Sequence, residues 1–256
     1  MELGFQVSSL KPCLTSKEEV FSSFEKLHQI GYRAVQIQWI SPQVPDEAVA
    51  EALDRFSLSC IAVQDFYTEV LSNLERYRTQ NRLWKSRYMT VSRIPQEYFS
   101  AEGLPKFAYE LRRLAELFGQ DGVTLSFHPV SGDYAPIDGQ CAVDKLMDLL
   151  PSEIQLTLCL YHTIHGGQDP CDFLRRYSGR VDLVHFKNSA VFPDGEEFLV
   201  PVGQGNIDWP PILRACWETG VKWGFAEQER WRKDPFVCAK ESYRYLVENG
   251  VKNPKI

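Results

Sequence analysis

Short apolar runs alternate along the chain with longer stretches whose apolar residues recur at helical intervals. Leu3 to Val7 reads as a strand. Ser16 and Glu19 then stand at capping-box spacing, and Val20, Phe21, Phe24 and Leu27 mark a helical face that Gly31 ends. The alternation continues through strands at Ala34–Ile40, Leu58–Val63, Arg87–Val91, Val123–Phe127, Ile154–Leu160, Val181–Phe186 and Lys222–Ala226. Between them lie helices opening at Pro45, spanning Leu71–Leu83, Gly103–Phe118 and Ala142–Leu150, and opening at Asp169-Pro170, Asp208 and Asp234-Pro235. Strands alternating with helices predict an α/β fold with a parallel sheet and right-handed crossovers. Eight such units, with no linker or composition break between them, predict one α/β domain, 1–256, and the count of eight favours a closed (β/α)8 barrel over an open doubly wound sheet.

In such a barrel the carboxyl ends of the strands carry the chemistry, so the residues that close each strand matter most. Three of the five histidines fall there: His128, His162 and His185. The last two strands end in His185, Lys187 and Asn188, and in Glu227, Gln228 and Glu229. Gln6, Trp39 and Gln64 close the first three strands, where they are candidate pocket contacts or simple packing. Net charge is −6, which argues against a nucleic-acid surface. The basic run Arg76, Arg78, Arg82, Lys85 and Arg87 reads first as a solvated helix face. Gly203 and Gly205 make too short a motif for a dinucleotide site. Seven widely spaced cysteines without a C-x-x-C pair read as reduced thiols, and no apolar run reaches membrane-spanning length of about 18 residues. These features predict a soluble cytoplasmic protein with no membrane or nucleic-acid partner, and they leave homo-oligomerisation open.

The segments VHFKN at 184–188, VGQGNIDWPPIL at 202–213 and FAEQE at 225–229 together resemble the sugar phosphate isomerase/epimerase family, the xylose isomerase-like TIM barrels. The resemblance adds its weight to the count of eight for a closed TIM barrel, and implies one divalent metal held on four side chains after strands five to eight: a Glu, an Asp, a His and a Glu. His185 and Glu227 match the last two. The first two depart from the family pattern, since His128 and Asp133 follow strand five, and Cys159 with His162 stands where relatives carry Asp-x-x-His. His128, Cys159, His162, His185 and Glu227 are therefore the candidate metal ligands. Imidazole and thiol in place of carboxylate favour Zn²⁺ over Mn²⁺, Co²⁺ or Mg²⁺, or remove the site altogether. Cys159 reads equally as a small buried core residue, and His162 and His165 as loop histidines bonded to backbone.

The implied activity is isomerisation or epimerisation of a sugar or sugar phosphate by metal-assisted proton transfer next to a carbonyl. Glu227 and His128 are the candidate catalytic groups, because the second family glutamate is missing unless His128, Asp133 or Glu229 replaces it. Lys187, Gln6, Trp39 and Gln64 are candidate substrate contacts. Two other outcomes stay open: dehydratase or lyase chemistry on a polyol or keto acid, and a carbohydrate-binding barrel that has lost catalysis.

Overall fold

A computed structural model describes residues 1–254. Its eight principal strands are β1 (Glu2–Gln6), β2 (Ala34–Ile37), β3 (Ser59–Phe66), β4 (Tyr88–Ser92), β5 (Thr124–His128), β6 (Gln155–Cys159), β7 (Val181–Val191) and β8 (Trp223–Glu227). Each pairs in parallel with the next, and β8 pairs in parallel with β1 from Glu2 opposite Trp223 to Phe5 opposite Ala226. The sheet is therefore closed, a (β/α)8 TIM barrel. The crossover helices are α1 (Lys17–Ile30), α2 (Asp46–Arg55), α3 (Leu74–Leu83), α4 (Gly103–Gly119), α5 (Ala142–Leu149), α6 (Pro170–Arg176) and α7 (Trp209–Glu218), and α8 (Pro235–Glu248) follows the last strand.

The helix starts show how local chemistry sets the frame. Ser16 accepts from the Glu19 amide, but the Glu19 carboxylate reaches back to Thr15 rather than to Ser16. Asp169 and Asp234 each accept two amides of the first turn, with proline in that turn supplying no competing N–H. Asp208 holds the N-cap position of α7 without a side-chain bond. The α7 start is fixed instead by Trp209, which is buried edge-on against Phe186 of β7. Beside them, a Cβ on Gly224 would lie 2.1 Å from the Phe186 ring, so the bare backbone of β8 is what admits that ring.

Three local expectations need correction. The strand expected at Val181–Phe186 continues to Val191, because Glu197–Val200 folds back on it as an antiparallel partner; His185, Lys187 and Asn188 thus lie within β7 rather than after it. The helix expected at Leu71–Leu83 is two, Tyr67–Ser72 and α3, parted at Asn73, whose backbone leaves the helical region. His162 and His165 sit on a short helix, Leu160–His165, and bond side chains rather than backbone. A small hairpin over Pro136–Ile137 and Gln140–Cys141 also forms, turning at Asp138 and Gly139 with positive φ at both residues.

Two cores result. A large apolar layer joins the outer faces of the strands to the helices, while a separate cluster of Ala34, Ile61, Ala62, Tyr88, Leu183, Trp223 and Phe225 fills the amino-terminal half of the barrel. Above that plug the inward positions turn polar: Gln36, Gln64, Thr90, Ser126, Thr157 and His185 are all buried. Gln36 bonds Gln64 at 2.9 Å and Thr90 at 3.4 Å, and Thr157 bonds both Thr90 and Ser126, at 3.2 and 2.6 Å.

The glycines of the 202–213 segment are structural. Gly203 has φ +86°, and a Cβ on Gly205 would lie 2.0 Å from the Ser189 carbonyl oxygen. Gly205→Ala must push backbone against backbone and should cost about 3 kcal/mol, the upper end of ordinary overpacking. Gly119→Ala, with open space around the new methyl, should be neutral or slightly stabilising. Urea midpoints of the two variants check this; equal midpoints would contradict the packing of the β7–α7 connection.

Candidate metal and proton-transfer site

Period-two alternation in a closed sheet stacks every other residue inside the barrel. At the carboxyl end that stack delivers His128 from β5, Cys159 from β6, His185 and Lys187 from β7, and Glu227 from β8. All are buried, none more than 6% exposed. One donor atom each from His128, Cys159 and His185 falls within 4.8 Å of the others. Glu227 Oε2 lies 3.2 Å from His185 Nδ1 and 3.9 Å from Cys159 Sγ. The His128 and His185 rings are 4.8 Å apart, centroid to centroid.

The polar atoms of this cluster are under-satisfied. Both ring nitrogens of His128 and Nδ1 of His185 are buried with no hydrogen-bond partner; the short approach of Glu227 to Nδ1 is out of line for a hydrogen bond. Burial, then the neighbouring His185, pushes His128 down to about 3; burial, then Lys187, does the same for His185. Both imidazoles are neutral at physiological pH and carry free lone pairs. Burial, with Glu227 second, holds the Cys159 thiol well above its usual value, so it is protonated unless a cation joins it. A set of two neutral imidazoles, a thiol and a carboxylate with orphaned acceptors is a candidate divalent-metal site.

His162 stands one ring further out. It is perpendicular to His128 at 6.0 Å, with Nδ1 2.8 Å from Ser131 Oγ, and it lies outside the His128–Cys159–His185 trio. Lys187 bonds Glu229 at 2.7 Å and lies over the Tyr161 ring. Burial alone would weaken the charge on Lys187, but Glu227 and Glu229 outweigh it and hold the ammonium well above its usual range. Burial, then Glu227, raises the Glu229 carboxyl to about 6. Asp133 is occupied elsewhere, accepting from the Val130 and Ile94 amides at 2.8 and 3.1 Å.

Gln6 is fully buried, its Oε1 accepting from Ser8 while its Nε2 has no partner. Gln64 Oε1 accepts from Gln36 Nε2. Trp39, at φ +61°, faces Phe66 and lines a separate cavity of about 480 Å³ with Lys11, Asp65 and Arg76. The structure thus groups His128, Cys159, His185, Lys187 and Glu227, and sets Trp39 apart from them. Arg78 and Arg82 of the basic run both bond Asp121. One residue and one pairing escaped the sequence reading: Gln36, a polar residue at an inward position of an otherwise apolar strand, and the bond between Glu229 and Lys187.

The buried histidines predict a pH dependence. Their folded pKa values lie below the unfolded value of about 6.5, so the unfolded chain takes up protons that the folded chain refuses. In chelator-treated protein, stability from this source is whole above pH ~6.5 and falls as pH drops toward ~3. Urea midpoints at descending pH should show the loss, and His128→Asn should flatten it. An unchanged slope would mean that His128 is protonated in the fold.

Comparison with known proteins agrees with this geometry. The family model described as "Xylose isomerase-like TIM barrel" matches residues 24–246. An inosose dehydratase of Lacticaseibacillus casei is 27% identical over 168 residues, 58% of this chain and 55% of the relative, so the chain spans about half the length of that curated relative. A sugar phosphate isomerase/epimerase structure from Parabacteroides distasonis superposes with TM-score 0.80 at 15% identity, covering 98% of this chain and 95% of that one. The IOLI protein, whose structure is described with a binding zinc atom, gives TM-score 0.77 at 16% identity over the whole of both chains. No helix among the described residues is long and apolar enough to cross a membrane. With the closed barrel, the three motifs and the matched residues taken together, the chain belongs to the xylose isomerase-like TIM barrel family.

Proposed function

We propose that the chain is an isomerase or epimerase of a sugar or sugar phosphate, transferring a proton next to a carbonyl at a divalent-metal site of His128, Cys159, His185 and Glu227. The observation that carries this reading is the convergence of those donors with three orphaned ring nitrogens among them. Leaving such atoms unpaired costs about 1–3 kcal/mol each, and a cation would satisfy one nitrogen of each ring together. Two imidazoles and a thiol favour Zn²⁺ over Mg²⁺ or Mn²⁺, and the zinc described in the IOLI structure supports the same choice. When bound, the metal would polarise the substrate carbonyl and stabilise the enediolate.

The remaining work falls to the chain. Glu227 takes the proton from the carbon beside the carbonyl. His128 returns one: its N–H gives a proton to the neighbouring carbon, and the proton held on Glu227 restores that N–H, so the ring ends neutral and its other nitrogen stays free to face the cluster. Glu229, poised near 6, is a second store for that proton, and Lys187 beside it holds a substrate oxygen. The unpaired Nε2 of Gln6 offers a donor to a hydroxyl, and Trp39 an apolar platform further out. Gln64 supports from behind through Gln36.

A second reading, dehydration of a polyol ketone, is favoured by the inosose dehydratase relatives. It shares the first step, then expels the β-hydroxyl, which leaves as water once protonated. Solvent-deuterium exchange into substrate, followed by NMR on a panel of ketoses, sugar phosphates and an inosose, tests both. Isomer or epimer formation supports the first reading and loss of water the second. Metal binding without exchange would leave only a carbohydrate-binding barrel.

Metal uptake is testable directly. Titration of chelator-treated protein should show Zn²⁺ binding ahead of Mn²⁺ and Mg²⁺. Glu227→Gln should weaken uptake at least about tenfold, or about 1.4 kcal/mol, and slow exchange by about 10²–10⁴. Tight Mg²⁺ with weak Zn²⁺ would overturn the ligand assignment.

A further inference from the structure

His185 has a different neighbour on each side, and only one of them is a hydrogen-bond partner. Its Nε2 lies 2.7 Å from Gln36 Oε1, deep in the barrel, while its Nδ1 faces Glu227 and the cluster. Gln36 is constrained in turn. Its amide nitrogen faces Gln64 Oε1 at 2.9 Å and Thr90 Oγ1 at 3.4 Å, so both N–H bonds are directed away from His185. Thr90 and Gln36 are wholly buried, with no solvent to trade partners with. Only the amide oxygen is left for the ring, and an oxygen can only accept.

We infer that Gln36, held by Gln64 and Thr90, is a positioning residue that fixes His185 as the Nε2–H tautomer and so presents the Nδ1 lone pair to the cluster. The inference rests on the metal reading for its purpose but not for its geometry. The opposite tautomer would need both amides to reverse together, since turning Gln36 alone sets its oxygen against Gln64 Oε1. The assigned tautomer leaves an imidazole lone pair 3.2 Å from a carboxylate oxygen, two acceptors with no proton between them. That contact is unfavourable until a cation sits among them, which gives the arrangement a reason. A ligating histidine commonly donates its second N–H to a carboxylate or carbonyl; here the acceptor is a side-chain amide oxygen on a strand across the barrel, 149 positions away in sequence.

Long-range ¹H–¹⁵N correlation spectra of histidine-labelled, chelator-treated protein read the tautomer directly. His185 should show a protonated Nε2 and a bare Nδ1. Gln36→Met, which keeps the volume and removes the acceptor, should give a mixed tautomer and weaken Zn²⁺ about 10–100-fold. Gln36→Glu, which restores an acceptor oxygen, should recover the Nε2–H signature. An Nδ1–H tautomer in the wild-type protein would overturn the inference, whatever the metal does, and it remains decisive if a variant fails to fold. A Gln36→Met protein that keeps the pure Nε2–H form would overturn it too. An Nε2–H wild type that binds no metal would support the inference and sink the metal reading instead.

Discussion

Everything in this protein depends on barrel closure between β8 and β1. Pairing of Glu2 with Trp223 through Phe5 with Ala226 turns an open sheet into a tube, and a tube has an inside. Once the sheet is closed, each strand's two-residue period has one destination for its inward residues. Leu183, His185 and Lys187 climb β7 from plug to mouth, and Trp223, Phe225 and Glu227 climb β8 beside them. Ala62 and Gln64, or Tyr88 and Thr90, repeat the same change from apolar to polar. The site is the top of this column, and its depth is set by backbone register rather than by loops. A one-residue slip in any of these strands would send its functional side chain into the helix layer.

The polar middle of the column is an expense that needs a purpose. Buried amides and hydroxyls gain little net stability over apolar packing, and each is costly when unpaired. Gln36, Gln64, Thr90, Thr157 and Ser126 are all paired, and they form a bonded chain that runs from β5 to the back of His185. Along this chain the unpaired atoms begin where the cluster begins, at His128 and His185 Nδ1. Satisfaction below and its abrupt lack above are what separate a polar core from a binding site.

Much of this was legible in the sequence because it is local. Strand and helix periods, proline after Asp169 and Asp234, and the glycine stops set the eight units to within a residue or so of the observed strand starts. Strand-end position singled out His128, His162 and His185, and the family resemblance made His128, Cys159, His162, His185 and Glu227 the candidate ligands. What stayed hidden depends on pairings that no local pattern encodes. The length of β7 comes from its antiparallel partner Glu197–Val200. The occupation of Asp133 comes from two amides, one of them Ile94 on a different loop. Gln36 was visible only as a polar residue in a strand, and its meaning required His185 opposite. The basic run named its arginines, but Asp121, which bonds Arg78 and Arg82, lies across the α4–β5 connection.

The replacement of family carboxylates by His128 and Cys159 also has an electrostatic logic. Two glutamates and an aspartate around a divalent ion would leave one net negative charge, which a lysine alone would balance. Here the second-strand neighbours are Lys187, held cationic, and Glu229, its partner. With neutral imidazoles, an ionised Glu227 and the Lys187–Glu229 pair, the metal-free cluster carries one net negative charge while Glu229 is ionised. A divalent ion that displaces the Cys159 proton adds two positive charges and one negative, which brings the site to neutrality. Buried sites of zero net charge avoid most of the desolvation penalty that isolated ions incur. On the proposed metal reading the thiol would be the part of the cluster that answers the ion: burial keeps it protonated without one, and its ionisation would balance the charge that an ion brings.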